Sequence, residues 1–307
     1  MQRAILLPGQ GAQHPGMGQA FAQRYPAAAR RFEEADEALG FALSKACFEG
    51  GDSIHRTDLA QPGILTTSVA ILSVLVEEEG LDLAKVPFAA GLSLGEYTAL
   101  WVAGSLDFAD AVRLVRLRGE AMQDAADQFP SSMTSLVGAT REQAETLAAL
   151  GRAKGICSVA NLNAPGQVVV SGELAALDVV EAEAKAHGVR RALRLTVAGG
   201  FHSECMRPAA ERLAAALKEV QIRAPRIPFA TNVTGEEVRD PEAIRGYLAQ
   251  QVCAPVLWEA SMRHALAKGV RQYLEPGPGT VLGGILRKID PEAEVRSVAE
   301  PADVGAA

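Results

Sequence analysis

The sequence predicts an α/β protein built in two parts, and three observations carry that reading. A short apolar strand, Ala4-Ile5-Leu6-Leu7, opens onto a glycine-rich loop. A second buried-strand run, Pro87-Phe88-Ala89-Ala90, leads directly into Gly91-Leu92-Ser93-Leu94-Gly95 and then a helical pattern. Beyond Pro130 the elements follow the order βαββαβ, the ferredoxin-like split unit. The expected fold is therefore an α/β-hydrolase-like large subdomain, residues 1–128 and 199–307, into which a ferredoxin-like small subdomain, residues 129–198, is inserted.

The first strand ends at Pro8-Gly9, and Gln10-Gly11-Ala12-Gln13-His14-Pro15-Gly16 is a loop where backbone amides can approach a ligand closely. It lacks the lysine of a phosphate-binding P-loop. Helical periodicity covers 26–39, 62–79 and 108–128. In the inserted part, strands are expected near 133–138, 156–161, 167–171 and 190–197, with helices over 141–150 and 173–187. The large part resumes with helices around 208–220, 241–251 and 258–268 and short strands near 227–232 and 272–274. A frayed tail is expected over 301–307.

The 307 residues are 48% apolar, enough for a sizeable core. A net charge of −7 argues against a general nucleic-acid binder, which would need lysine and arginine to neutralise phosphates. Cys47, Cys157, Cys205 and Cys253 are scattered, without the spacing of a disulfide scaffold or metal site, so a reducing cytoplasm is expected. The opening apolar run is too short for a signal segment, and the longest one, 64–76, is too short to span a bilayer. No membrane segment is expected.

Chemistry enters at Gly91-Leu92-Ser93-Leu94-Gly95, which fits G-x-S-x-G in its proper context of strand, sharp turn and helix. The turn exposes the serine, and the glycines remove side chains that would block it. A helix-capping serine is the bland alternative. The helix start would also put the Leu94 amide where it can stabilise an oxyanion.

A serine hydroxyl needs a base near neutral pH, and the imidazole candidates are His14, His55, His187, His202 and His264. His202 is best placed, because it follows the Gly199-Gly200-Phe201 corner and precedes a helix that Ser203 can cap, although on position alone a surface loop histidine is the commoner reading. His187 and His264 sit in helical patterns, and His14 is a weaker competitor in the first loop. No acid stands out to support the base. Gln251, at a helix end, is one source of a neutral oxygen for that task, though by its position it is an ordinary helix-end residue.

Arg118 falls in the middle of an apolar stripe formed by Ala111, Leu114, Val115, Ala121 and Met122. A guanidinium facing the core needs an anion, and its planar fork suits a carboxylate. That anion is either a substrate carboxylate or a protein Asp or Glu.

Taken in order, these segments resemble the malonyl-CoA:acyl carrier protein transacylase family over nearly the whole chain. The matching motifs are Pro8-Gly9-Gln10-Gly11, Gly91-Leu92-Ser93-Leu94-Gly95-Glu96-Tyr97 and Arg118-Gly119-Glu120-Ala121-Met122-Gln123. Asn161-Leu162-Asn163-Ala164-Pro165-Gly166-Gln167-Val168, Phe201-His202-Ser203, Thr231-Asn232-Val233-Thr234, Gln251 with Pro255-Val256 and Trp258, and Gly277-Pro278-Gly279 with Val281-Leu282 follow. The chain departs from the pattern at Leu92, where histidine is usual, and at Gly200, where proline or alanine is commoner and where a glycine would loosen the loop.

The resemblance implies Ser93 as nucleophile, His202 as base, the Gln251 backbone carbonyl as its support, and the Gln10 and Leu94 amides as oxyanion hole. It implies Arg118 as the ligand of the malonyl carboxylate, with Phe201, Met122 and Asn163 completing the substrate site. Malonyl-CoA and an acyl carrier protein are the implied partners, in fatty acid or polyketide synthesis, with no nucleic acid, membrane, metal or bound redox cofactor. A monomer is expected. Two rival readings share these residues: a serine thioesterase or editing hydrolase of acyl thioesters, and a non-catalytic module that docks carrier protein.

Overall fold

A central strand of a parallel sheet is covered on both faces, so its residues are apolar without alternation. Strand β1 (Ala4–Leu7) obeys this, with all four residues buried. The computed structural model describes residues 3–305. The further strands are β2 (Ala89–Gly91), β3 (Ser131–Val137), β4 (Cys157–Ala164), β5 (Gln167–Glu173), β6 (Arg191–Arg194), β7 (Gln272–Pro276) and β8 (Glu294–Val298). They form two sheets. One has the order β2-β1-β7-β8 with every pairing parallel, and the other β4-β5-β3-β6 with every pairing antiparallel.

The strand expected near 227–232 is reduced to isolated bridges beside β2. Ala89 N–H donates to the Pro228 carbonyl at 2.9 Å, but Pro228 has no N–H with which to continue a ladder. Strand β8 and the helices Gln19–Arg24, Leu43–Glu49 and Val281–Ile289 were not among the expected elements. The strand expected over 190–197 stops at Arg194, and the chain from Leu195 to Ala198 instead lines a cavity.

The helix Thr57–Glu79 begins five residues before its expected start, with Pro62 inside it. Proline lacks the N–H that would serve the Asp58 carbonyl, and Arg116 Nη1 donates to that carbonyl at 2.6 Å. At 23 residues this helix is, by length and composition alone, long and apolar enough to cross a bilayer, longer than the apolar run 64–76 within it. However, 83% of its most apolar window is buried within the protein, among the Pro26–Leu39 and Phe108–Gln128 helices. Gly119 allows the last of these contacts, since a Cβ there would lie 2.6 Å from the Thr57 carbonyl oxygen.

In the smaller part, the Arg141–Gly151 and Leu174–Glu183 helices pack against the antiparallel sheet around Leu136, Leu147, Val170 and Val180. Strand β4 is tied to the segment before the Trp258–Ala267 helix. Val256 N–H donates to the Ala160 carbonyl at 2.8 Å, and Leu162 N–H to the Val256 carbonyl at 2.9 Å. The cleft beside this tie holds the candidate site.

Candidate active site

Ser93 lies on the turn between β2 and the Gly95–Val102 helix, with φ of +53°. Both flanking glycines are required there by space. A Cβ on Gly91 would fall 1.9 Å from the Gly95 backbone, and one on Gly95 2.2 Å from the Leu7 carbonyl oxygen. Asn232 clamps the turn from outside: its Oδ1 accepts the Ser93 N–H at 2.6 Å, and its Nδ2 donates to the Gly91 carbonyl at 2.7 Å.

His202 also has a left-handed backbone, φ +59°, and its Nε2 lies 2.8 Å from the Ser93 hydroxyl oxygen. Its Nδ1 lies 2.7 Å from the Gln251 carbonyl oxygen, which can only accept, so the ring proton sits on Nδ1 and Nε2 is free to take the serine proton. Burial, followed by the nearby Arg118 charge, pushes the imidazole pKa down to about 4, so the ring is neutral at pH 7. The loop that carries it is not loosened by Gly200. The Gly200 N–H donates to Ser131 Oγ at 2.8 Å, and Ser203 Oγ donates to the Gly200 carbonyl at 2.6 Å.

Arg118 is 1% exposed. Its Nη1 donates to Gln61 Oε1 at 2.6 Å, and its Nη2 to Ser93 Oγ and Gln251 Oε1 at 3.0 Å each, while Nε has no acceptor among the described residues. No protein carboxylate pairs with it among the described residues, so the internal ion pair left open by helical periodicity is not formed. The guanidinium also stands over the Tyr97 ring, 5.8 Å from its centroid.

A cavity of about 710 Å³ opens over this cluster, and Gln10, Ser93, Arg118, Met122, Asn163, Phe201 and His202 all line it. Gln251 stands behind the wall, fully buried. The Leu94 side chain is in the core, and neither the Gln10 nor the Leu94 N–H has an acceptor among the described residues. Asn163 Oδ1 is buried without a partner among the described residues. Of the other histidines, His55 reaches the rim, His14 is exposed and turned to the Pro15 carbonyl, and His264 meets Glu237 at 3.3 Å.

Three contributors escaped the reading of the residues. Asn232 was noted only within a motif. Gln61 is a fully buried amide in a helix buried on nearly every side, so no apolar stripe marks it as misplaced. Glu96, 1% exposed, accepts from Gln251 Nε2 at 2.5 Å, and burial pushes its carboxyl up to about 7 against the opposing pull of its hydrogen bonds and Arg118.

This geometry provides a hydroxyl, a neutral base aligned on it, and a buried cation beside both, the constellation of a serine acyltransferase. A family profile described as "Acyl transferase domain" matches residues 5–297. The chain is 39% identical to the malonyl CoA-acyl carrier protein transacylase of Bacillus subtilis (strain 168), over 97% of this chain and 93% of that protein. It is equally identical to the Escherichia coli (strain K12) protein of the same name, over 100% and 98%. Among solved structures, an acyl-carrier-protein-S-malonyltransferase from Bartonella henselae superposes with a TM-score of 0.94 at 38% identity, covering 100% of this chain and 98% of the other. A malonyl-transacylase solved in complex with its type II PKS acyl-carrier protein superposes equally well at 36% identity, over 99% and 98%. The chain belongs to the acyl transferase family and, within it, to the malonyl-CoA:acyl carrier protein transacylases.

Proposed function

We propose that this enzyme moves a malonyl group from coenzyme A to the phosphopantetheine thiol of an acyl carrier protein by way of an ester on Ser93. The observation that carries this reading is Arg118, a buried cation with no carboxylate partner among the described residues, set 3.0 Å from the candidate nucleophile. A three-carbon diacid thioester whose carbonyl carbon meets Ser93 would bring its free carboxylate to that guanidinium.

In the proposed cycle, Ser93 Oγ attacks the thioester carbon as His202 Nε2 takes its proton. The carbonyl oxygen becomes an oxyanion, received by the Gln10 and Leu94 amides. Collapse breaks the carbon–sulfur bond, and the coenzyme A sulfur leaves with the proton from His202. The carrier thiol then repeats the sequence on the ester, giving up its proton to His202 and releasing Ser93. The Gln251 carbonyl, through Nδ1, keeps the imidazole in the tautomer that both halves need. Phe201, which lines the cavity beside His202, is proposed to occupy the space that a branch on the substrate α-carbon would need, with Met122 and Asn163 completing the wall.

The parallel sheet with its serine turn supports an α/β-hydrolase-like large subdomain over 1–128 and 199–307. The antiparallel order β4-β5-β3-β6, with two helices between its strands in sequence, supports a ferredoxin-like insert over 129–198. The four cysteines are unpaired, which supports a cytoplasmic setting.

Intact-protein mass spectrometry tests the reading. Malonyl-CoA should add one malonyl group that is absent from Ser93→Ala, and a phosphopantetheinylated carrier should remove it. A chain left unmodified by malonyl-CoA would overturn the proposal.

A further inference from the structure

We propose that Glu96 is a positioning residue that helps fix which way the Gln251 side-chain amide faces, and through that amide aims Arg118 at the acyl site. The inference rests on the reading of Arg118 as the substrate carboxylate's partner.

An amide has a donor end and an acceptor end, whereas an ionised carboxylate only accepts. Gln251 Nε2 donates to Glu96 at 2.5 Å and to the Ser93 carbonyl at 2.9 Å, and its Oε1 accepts from Arg118 Nη2 at 3.0 Å. Reversing the amide would set its oxygen against two acceptors and its NH2 against a guanidinium, which also only donates. Glu96 adds to the Ser93 carbonyl and the Arg118 guanidinium in favouring one orientation. In that orientation Gln251 holds one Nη2 proton, Ser93 holds the other, and Gln61 holds Nη1. The guanidinium is gripped from three sides while its Nε edge has no acceptor among the described residues.

Packing alone does not account for a carboxylate here. Glu96 is 1% exposed and forms no ion pair among the described residues, so a glutamine of the same shape would be less costly to bury. The raised carboxyl pKa, about 7, is the mark of that cost, and the ionised, acceptor-only form prevails above that pH, where the kinetics of Glu96→Gln are to be measured. What glutamine cannot provide is an acceptor-only partner for the Gln251 amide.

Glu96→Gln is the direct test, because a glutamine at 96 can donate to Gln251 Oε1 and so makes the reversed amide less costly. The KM for malonyl-CoA should rise by about ten- to a hundredfold, the scale of a lost hydrogen bond to a charged group. The kcat/KM with acetyl-CoA should fall by no more than about tenfold, the share of the Arg118–Ser93 hydrogen bond. A malonyl KM that does not move, or parallel losses in kcat with both thioesters, would overturn the role. A spectroscopic readout covers the case of a variant that fails to fold. In the unsubstituted protein labelled with ¹⁵N-glutamine, the Gln251 side-chain amide, assigned by its loss in Gln251→Asn, should lie well downfield of free glutamine amides. Finding it at the free-glutamine position would equally overturn the role. If the unsubstituted protein forms no Ser93 ester, the malonyl-transfer reading itself fails; an ester with an unmoved malonyl KM in Glu96→Gln removes only Glu96.

Discussion

Arg118 donates through Nη2 to the Ser93 hydroxyl oxygen at 3.0 Å, so the cation assigned to the substrate also touches the nucleophile. Arg118→Ala should therefore cost both substrates something, because the serine loses a donor that would favour its ionised form. The two losses should differ in size. Malonyl transfer should fall on the order of a hundred- to a thousandfold, as when one partner of a buried charged contact is truncated, and acetyl transfer only about tenfold, one ordinary hydrogen bond. Lysine keeps the charge but not the fork, so Arg118→Lys should recover only part of the malonyl loss. Equal losses in kcat/KM with the two thioesters would remove the carboxylate role.

The depressed His202 pKa sets a pH dependence. The imidazole of the free enzyme stays neutral down to about pH 4, so the acid limb of Ser93 acylation should have its midpoint there and not near the ordinary value of 6.5. The same group bears on stability: the unfolded chain takes up this proton at about 6.5 and the folded one at about 4, so its contribution is present above 6.5 and is lost as pH falls through that window. Single-turnover ester formation measured from pH 4 to 8 checks the first statement, and a midpoint at 6.5 would contradict it.

Asn232→Ala removes the acceptor of the Ser93 N–H and the donor to the Gly91 carbonyl together. Each orphaned buried group should cost about 1–3 kcal/mol of stability in denaturant unfolding. Acylation should slow as well, since the turn that holds Ser93 at positive φ loses its clamp. Asn232→Asp keeps the acceptor alone and should fall between. A variant as stable and as active as the unsubstituted enzyme would show that the turn holds itself.

Phe201→Ala should narrow the preference for malonyl over methylmalonyl thioesters. One methyl group in an apolar pocket is worth about 1–3 kcal/mol, so a preference and not an absolute exclusion is expected in the starting enzyme. Equal ratios of kcat/KM before and after the substitution would return Phe201 to core packing.

The parts of this site that could be read from the residues were those in which function disturbs a local rule. Ser93 sits in a five-residue motif between a strand and a helix. Arg118 breaks an apolar stripe whose phase is fixed by 3.6 residues per turn. His202 is the best placed of five imidazoles, but its corner suits a surface histidine as well, and the resemblance carries its role as base. Gln61 breaks a rule as plainly, but in a helix buried on nearly every side, with other polar residues among its apolar ones, no stripe marks it as misplaced. Asn232 and Glu96 act across 139 and 155 residues of chain, on the Ser93 amide and the Gln251 side chain, and no local pattern encodes such partners. The fold shows the same division. Long periodic helices were placed within a few residues, whereas β8, an edge strand with only one buried residue, and the stretch broken by Pro228 depend on the sheet beside them.

Ser93 and His202 are the two non-glycine residues with positive φ among those described, and such conformations cost about 1–3 kcal/mol each. By the measure of foldability alone, glycine suits both positions better. The amino acids found there are thus kept against the grain of stability, by what their side chains do and not by what their backbones prefer. In a copy of this chain released from selection, drift at these two sites would run downhill toward glycine, so catalytic competence would vanish while the fold persisted. Loss of Ser93 and His202 in an otherwise intact relative would then mark a scaffold that has left catalysis.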